Sequence, residues 1–120
     1  MSKGILIVAE HRPEIVKSKG ELFTMEEIKD ITIGKGSFIQ SIPDEDISPG
    51  IPDGILVFRG CEEYTMLPLN SAANEIVIST YGELISGNVF MIRLGKGKVL
   101  QSLTKNDLDE LSKLFNVKLQ

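Results

Sequence analysis

Two Gly-Lys-Gly tripeptides, Gly34-Lys35-Gly36 and Gly95-Lys96-Gly97, are the first positions in this chain whose residue types and spacing suggest chemistry. Glycine amides around a lysine can form a nest of backbone N–H groups with a cation at its tip, suited to phosphate or carboxylate. Neither tripeptide is a P-loop, which ends in Gly-Lys-Ser/Thr directly before a helix. Gly36-Ser37 instead runs into Phe38-Ile39-Gln40-Ser41, which reads as a strand. Glycine also supplies the positive φ of tight hairpins at low cost, and apolar residues flank both tripeptides. Hairpin turns are therefore the first reading and an anion cradle the second. In the second reading Arg59 or His11 would add further cationic donors.

The remaining reactive side chains are sparse. His11 and Cys61 are the sole residues of their types, each seven positions after a strand-opening glycine, Gly4 or Gly54. A Cys-His nucleophile pair needs hydrogen-bond contact, which the spacing does not supply, and a lone cysteine usually behaves as a small buried hydrophobe. One His and one Cys do not make a zinc site without carboxylates. Asp44-Glu45-Asp46 lacks the Asp-x-Asp-x-Asp-Gly pattern of a calcium loop and reads as a solvated turn. The pairs Gln40-Ser41 and Gln101-Ser102 read as the outward half of alternating strands, and otherwise as a polar site near a symmetry axis. No nucleophile elbow, Ser-His-Asp order or dinucleotide fingerprint is present. No catalytic residue, metal or cofactor is expected.

Charge narrows the partners. With 13 basic and 17 acidic residues the chain has a net charge of −4, and its lysines are dispersed. That disfavours nucleic acid, which calls for a basic face. Apolar runs stay far below the roughly 18–20 residues of a membrane helix. Ile5-Leu6-Ile7-Val8-Ala9 is too short for a signal peptide and is followed by Glu10-His11-Arg12. With a single cysteine, a cytoplasmic location is the expectation.

The chain also repeats itself. Residues 31–41 and 92–102 share six of eleven positions, and three more exchange one apolar residue for another. Glu14-Ile15-Val16 matches Glu75-Ile76-Val77, Gly20-Glu21-Leu22 matches Gly82-Glu83-Leu84, and Gly4-Ile5-Leu6-Ile7 matches Gly54-Ile55-Leu56-Val57. Asp46-Ile47 likewise matches Asp107-Leu108, and the order is the same in both halves. This series reads as a duplication with units of about 4–50 and 54–116. The second unit carries 11 extra residues between Val57 and Glu75, Cys61, Glu62, Glu63, Tyr64 and Pro68 among them. Two copies are too few for a solenoid and would instead close on each other.

The elements that must position these residues are mainly strands. Gly4–Ala9 and Gly54–Arg59 are short apolar runs suited to buried strands. Glu14–Ser18 reads as a strand, and so does β-branched Glu75–Thr80, with a turn near Gly82. Thr24 and Glu27 have capping-box spacing for a short helix ending near Asp30. A longer helix is expected from Thr104 to about Asn116, with Asp107 at its start and Leu108, Leu111, Leu114 and Phe115 on one face. Residues 117–119 then return as an edge strand or tail. Pro49 and Pro52 turn the matching stretch of the first unit into a loop.

These readings predict a mainly β fold with minor α, in the α+β class. The expectation is one domain over residues 1–120, a compact barrel or sandwich of two duplicated β-rich units with pseudo-twofold symmetry and a C-terminal helix. The expected function is a non-enzymatic binding or assembly module whose partner is itself or another protein, reached through exposed edge strands. The alternative is a small anionic-ligand-binding domain or enzyme using the Lys35 and Lys96 turns with Arg59 or His11.

Overall fold

The computed structural model describes residues 1–8, 11–32, 38–42, 47–61, 70–76 and 87–119, with the backbone alone at 38–40, 60 and 61. In chain order the elements are β1 (Lys3–Ile7), β2 (Glu14–Lys17), α1 (Met25–Thr32), β3 (Phe38–Ser41), β4 (Ile55–Cys61), α2 (Ser71–Ile76), β5 (Val89–Leu94), β6 (Leu100–Gln101) and α3 (Lys105–Phe115). The strands form one antiparallel sheet in the order β2-β1-β5-β4-β3. The short β6 lies on the same side of β5 as β1 and extends that line, pairing Arg93 with Gln101 and Leu94 with Leu100. Lys3 ties the two together: its N–H donates to Ser102 Oγ (2.9 Å) and its carbonyl accepts from the Leu103 N–H (2.9 Å).

Both faces of the sheet are covered. Alternation along β5 sends Val89 and Met91 to one face and Phe90 and Ile92 to the other. The first face packs Ile5, Ile7, Ile55 and Val57 against Ala73 and Ile76 of α2 and Leu108, Leu111 and Phe115 of α3. The second packs Phe58, Phe90 and Ile92 against Ile28 of α1 and Phe23. Each such buried Leu, Ile or Phe contributes about 1.5–3 kcal/mol through the area it removes from water. Gly4 has a specific reason to be glycine, because a Cβ there would overlap the Phe90 ring.

The α+β class holds, as do the strands β1 and β4 and the C-terminal helix. Thr104 caps α3 in a full capping box with Asp107, and the helix stops at Asn116, which adopts the left-handed conformation. Beyond it the tail is pinned by Val117 N–H to the Ser112 carbonyl (3.1 Å) and Leu119 N–H to Ser112 Oγ (3.1 Å). The Gly95–Gly97 turn is the expected β5–β6 hairpin, closed by Gly95 N–H to the Val99 carbonyl (2.7 Å).

Other expectations are corrected. Glu75 and Ile76 are not strand residues; they end α2, whose N-cap is Asn70. Glu27 completes only half of a capping box: its N–H meets Thr24 Oγ1 (3.1 Å), but its carboxylate accepts from the Lys19 N–H (2.9 Å). The first helix runs to Thr32, past Asp30. Among the described residues β2 and β3 do not pair with each other, so this is one open sheet between helices, without barrel closure or a second facing sheet. The repeated stretches share a strand at Ile5–Ile7 and Ile55–Val57. Elsewhere they part: Ile31 and Thr32 end α1 while Ile92 and Arg93 lie in β5, and Glu14 and Ile15 lie in β2 while Glu75 and Ile76 end α2. The sequence match has no counterpart in shared local structure at those positions.

Candidate functional site

A cleft of about 590 Å³ lies where the β1–β2 connection, α2 and the C-terminal end of α3 meet. Pro13 precedes β2, Ala72 lies half-buried on α2, and Asn116 in the left-handed conformation ends α3 just before Val117. Pro13, Ala72, Phe115 and Val117 are buried or half-buried and form an apolar floor. His11, Arg12, Ser71, Glu75 and Asn116 are exposed and form a polar rim. Neither Arg12 nor Glu75 takes part in an ion pair among the described residues. An apolar centre ringed by polar groups is the anatomy of a docking surface.

A buried polar anchor holds one wall of this cleft. Asn70 is fully buried; its Nδ2 donates to the Ile7 carbonyl (2.9 Å) and the Gly87 carbonyl (2.8 Å), and its Oδ1 accepts from the Ala73 N–H (3.1 Å). One side chain thus caps α2 and clamps that helix to the end of β1. Sequence reading passed over Asn70, although an N-cap residue followed by Ser-Ala-Ala is a helix-start signal.

Two arginines on the α2–α3 face differ sharply. Arg93, in register with Ile55, donates from Nε to Asp107 Oδ2 (2.7 Å) and from Nη2 to Asp107 Oδ1, a bidentate pair. Asp107 is almost completely buried and also accepts from the Thr104 N–H (2.9 Å). Burial alone would push its carboxyl up, but the hydrogen bonds from Arg93 and Thr104 and the guanidinium charge hold it below the usual carboxylate range. The Asp107 hydrogen bond correspondingly raises Arg93, against burial. Gly54, at φ +84°, leaves room for this guanidinium; a Cβ there would sit 2.7 Å from Nη1. Arg59, in register with Val89 near the other end of the sheet, has a buried Nε with no hydrogen-bond partner among the described residues.

The residues singled out from sequence do not converge. Lys96 and Gly97 sit at an exposed hairpin tip beyond Leu94, whereas Arg59 pairs with Val89 at the start of β5. At about 3.4 Å per residue the two ends are more than roughly 17 Å apart. Lys96 and Arg59 therefore do not form one anion site. Gly95 has extended backbone, so the tip is an ordinary turn with positive φ at Gly97 (+69°) and Lys98 (+60°). His11 is exposed at the Arg59 end and donates its N–H to the Val8 carbonyl (3.0 Å). Gly34, Lys35 and Gly36 lie outside the described residues, as do Asp44–Asp46, Glu62–Pro68, Val77–Thr80 and the turn at Gly82. Cys61 and Gln40 are described by backbone only, at the β3–β4 pairing. Among the described residues no group of three or more His, Cys, Asp or Glu could hold a metal. No described helix is long and apolar enough to cross a membrane.

The edge strands offer little for pairing on the β2 side. Ser18 N–H donates to the Ser2 carbonyl (2.9 Å), so even-numbered residues of β2 bond β1 and odd-numbered ones face outward. In that outward phase Pro13 has no N–H and the Lys19 N–H is taken by Glu27, leaving Ile15 and Lys17. A proline and a lysine on a short edge are devices that discourage strand addition.

No protein-family model, curated protein or solved structure matches this chain.

Proposed function

We propose that this protein is a non-enzymatic assembly module that pairs with a second copy of itself through the α2–α3 cleft. The carrying observation is the composition of that cleft: an apolar floor of Pro13, Ala72, Phe115 and Val117, with Arg12 and Glu75 on the rim, neither of them in an ion pair among the described residues. A twofold interface uses the same patch on both copies, so the patch must complement itself. A rim with one charge of each sign meets that condition, since Arg12 of each copy can face Glu75 of the other. The guarded β2 edge disfavours strand addition on that side of the sheet.

Light scattering after size exclusion, over a wide concentration range, tests the reading. The expected result is a concentration-dependent dimer, weakened by Arg12→Glu or Glu75→Arg alone and restored when both are combined. A monomer at every concentration, or a dimer indifferent to the single reversals, refutes it.

A further inference from the structure

The exposed large apolar side chains among the described residues are Met1, Leu22, Met25, Leu94 and Val99. Chain topology gathers them at one end of the sheet. β1 and β6 begin there, and β2 and β5 end there. Ser2 Oγ donates to the Glu21 carbonyl (2.7 Å), which draws the approach to α1 to the same place. Strand phase puts Leu94 on the face that carries Phe90 and Ile92. Phe23, which stands in the chain between Leu22 and Met25, is buried in that cluster, and Leu100, opposite Leu94, packs against it. Single exposed apolar residues are ordinary, but a group of them at one place marks an interaction surface.

The same end is basic, in a chain of net charge −4. From residue 85 to residue 106 the cations are Arg93, Lys96, Lys98 and Lys105, and there is no acid. Arg93 is taken by Asp107, but neither Lys96 nor Lys98 takes part in an ion pair among the described residues, and residues 96–99 are exposed in succession. Lys3, Lys17 and Lys19 stand at this end too and, with the hairpin, outweigh the acids Glu21, Glu26, Glu27 and Asp53. Aliphatic side chains on short exposed tips, with lysines beside them, fit an anionic lipid surface. The tips enter the headgroup boundary while the lysine ammonium groups meet the anionic heads.

We propose that the β5–β6 hairpin, with the Leu22–Met25 segment beside it, docks this protein on the surface of an anionic lipid bilayer. The contact is with the surface and not a span, since no described helix is long and apolar enough to cross. The docking end shares no residue with the lining of the assembly cleft, so the two readings stand or fall separately.

Flotation of the full chain tests this, with vesicles of phosphatidylcholine alone or with about one-third phosphatidylserine. Binding is expected to the mixed vesicles only, and it should fall as salt is raised. Lys96→Ala and Lys98→Ala should each weaken it about five-fold, and Leu94→Ser and Val99→Ser by up to about ten-fold each. Lys113→Ala, in the last turn of α3, should leave it unchanged. Melting temperatures check that each variant is folded. In the wild type, amide signals of residues 94–99 should broaden when mixed vesicles are added, a readout that needs no variant. No binding to mixed vesicles at low salt, equal binding to neutral vesicles, or binding indifferent to the hairpin variants overturns the proposal. Retention on polyglutamate without vesicle binding overturns it too, and points to an acidic protein instead.

Discussion

Replacing Asp107 by Asn isolates the interaction that joins α3 to the centre of the sheet. The change keeps the volume and one acceptor oxygen but removes the charge and turns an amide donor toward the Arg93 donors. Breaking a buried ion pair from one side costs about 3–5 kcal/mol. Asp107 is 1% exposed, but Arg93 keeps 24% of its side chain in solvent, and water takes up part of its charge. That discount leaves about 2–3 kcal/mol. Weakening of the Thr104 cap adds up to about 1 kcal/mol. A total near 3 kcal/mol corresponds to a fall of roughly 10–15 °C in melting temperature for a chain of this size. Urea denaturation at neutral pH measures the free energy directly. In an Arg93→Met background the same Asp107→Asn change should cost about 1 kcal/mol or less, because an unpaired buried carboxylate is no longer worth keeping.

The pH dependence of the pair has a fixed sign. The folded carboxyl lies below its unfolded value, so the folded state binds fewer protons over that interval. The stabilisation is complete above the unfolded value near ~3.9 and is lost as pH falls through the lower folded value. The gap between wild type and Asp107→Asn should therefore hold from neutrality to about pH 4 and narrow below it. A cost under about 1 kcal/mol, an equal cost in both backgrounds, or a gap unchanged in acid would refute the reasoning.

Three further outcomes follow from single contacts. Asn70→Ala should cost about 3–4 kcal/mol in urea denaturation, from one lost cap and two buried carbonyls without donors; Asn70→Asp should not rescue it, since a carboxylate would face the Ile7 and Gly87 carbonyls. Gly4→Ala should cost about 1–3 kcal/mol by overlapping the Phe90 ring, which stacks edge-on with Phe23 at 5.0 Å between centroids. Gly20→Ala, with nothing within 4 Å, should stay within about 0.5 kcal/mol of wild type, and thermal melts of the pair make the comparison. Lys96→Ala, at an exposed tip, should leave the melting temperature within experimental scatter.

Local signals in the chain were read correctly where structure is decided locally. Thr104 and Asp107 close a capping box by backbone geometry alone, and the leucine spacing that follows selects the buried face of α3. Gly95-Lys96-Gly97 sets its hairpin by turn chemistry. Failures occur where a distant partner decides. Glu75-Ile76 begins a β-branched run and reads as strand, yet Asn70 anchors a helix through them by bonding the Ile7 and Gly87 carbonyls. Glu27 has the right spacing to cap Thr24, but the Lys19 N–H, eight residues away, competes for its carboxylate.

The likeness of residues 31–41 and 92–102 shows how weakly a sequence match constrains local structure. Ile31 and Thr32 finish a helix, with Thr32 Oγ1 donating to the Ile28 carbonyl (2.6 Å), whereas Ile92 and Arg93 are central strand residues. The faces of the sheet decide the rest. Ile55-Leu56-Val57-Phe58 and Val89-Phe90-Met91-Ile92 are continuously apolar, not alternating. A strand of that kind is buried on both sides and needs cover on both. Helices on both faces of one open sheet answer that requirement. Once both faces are closed, a charged side chain at the end of such a run needs a partner for the part of it that leaves water. Arg93 meets that need with Asp107, which ties α3 to the centre of the sheet.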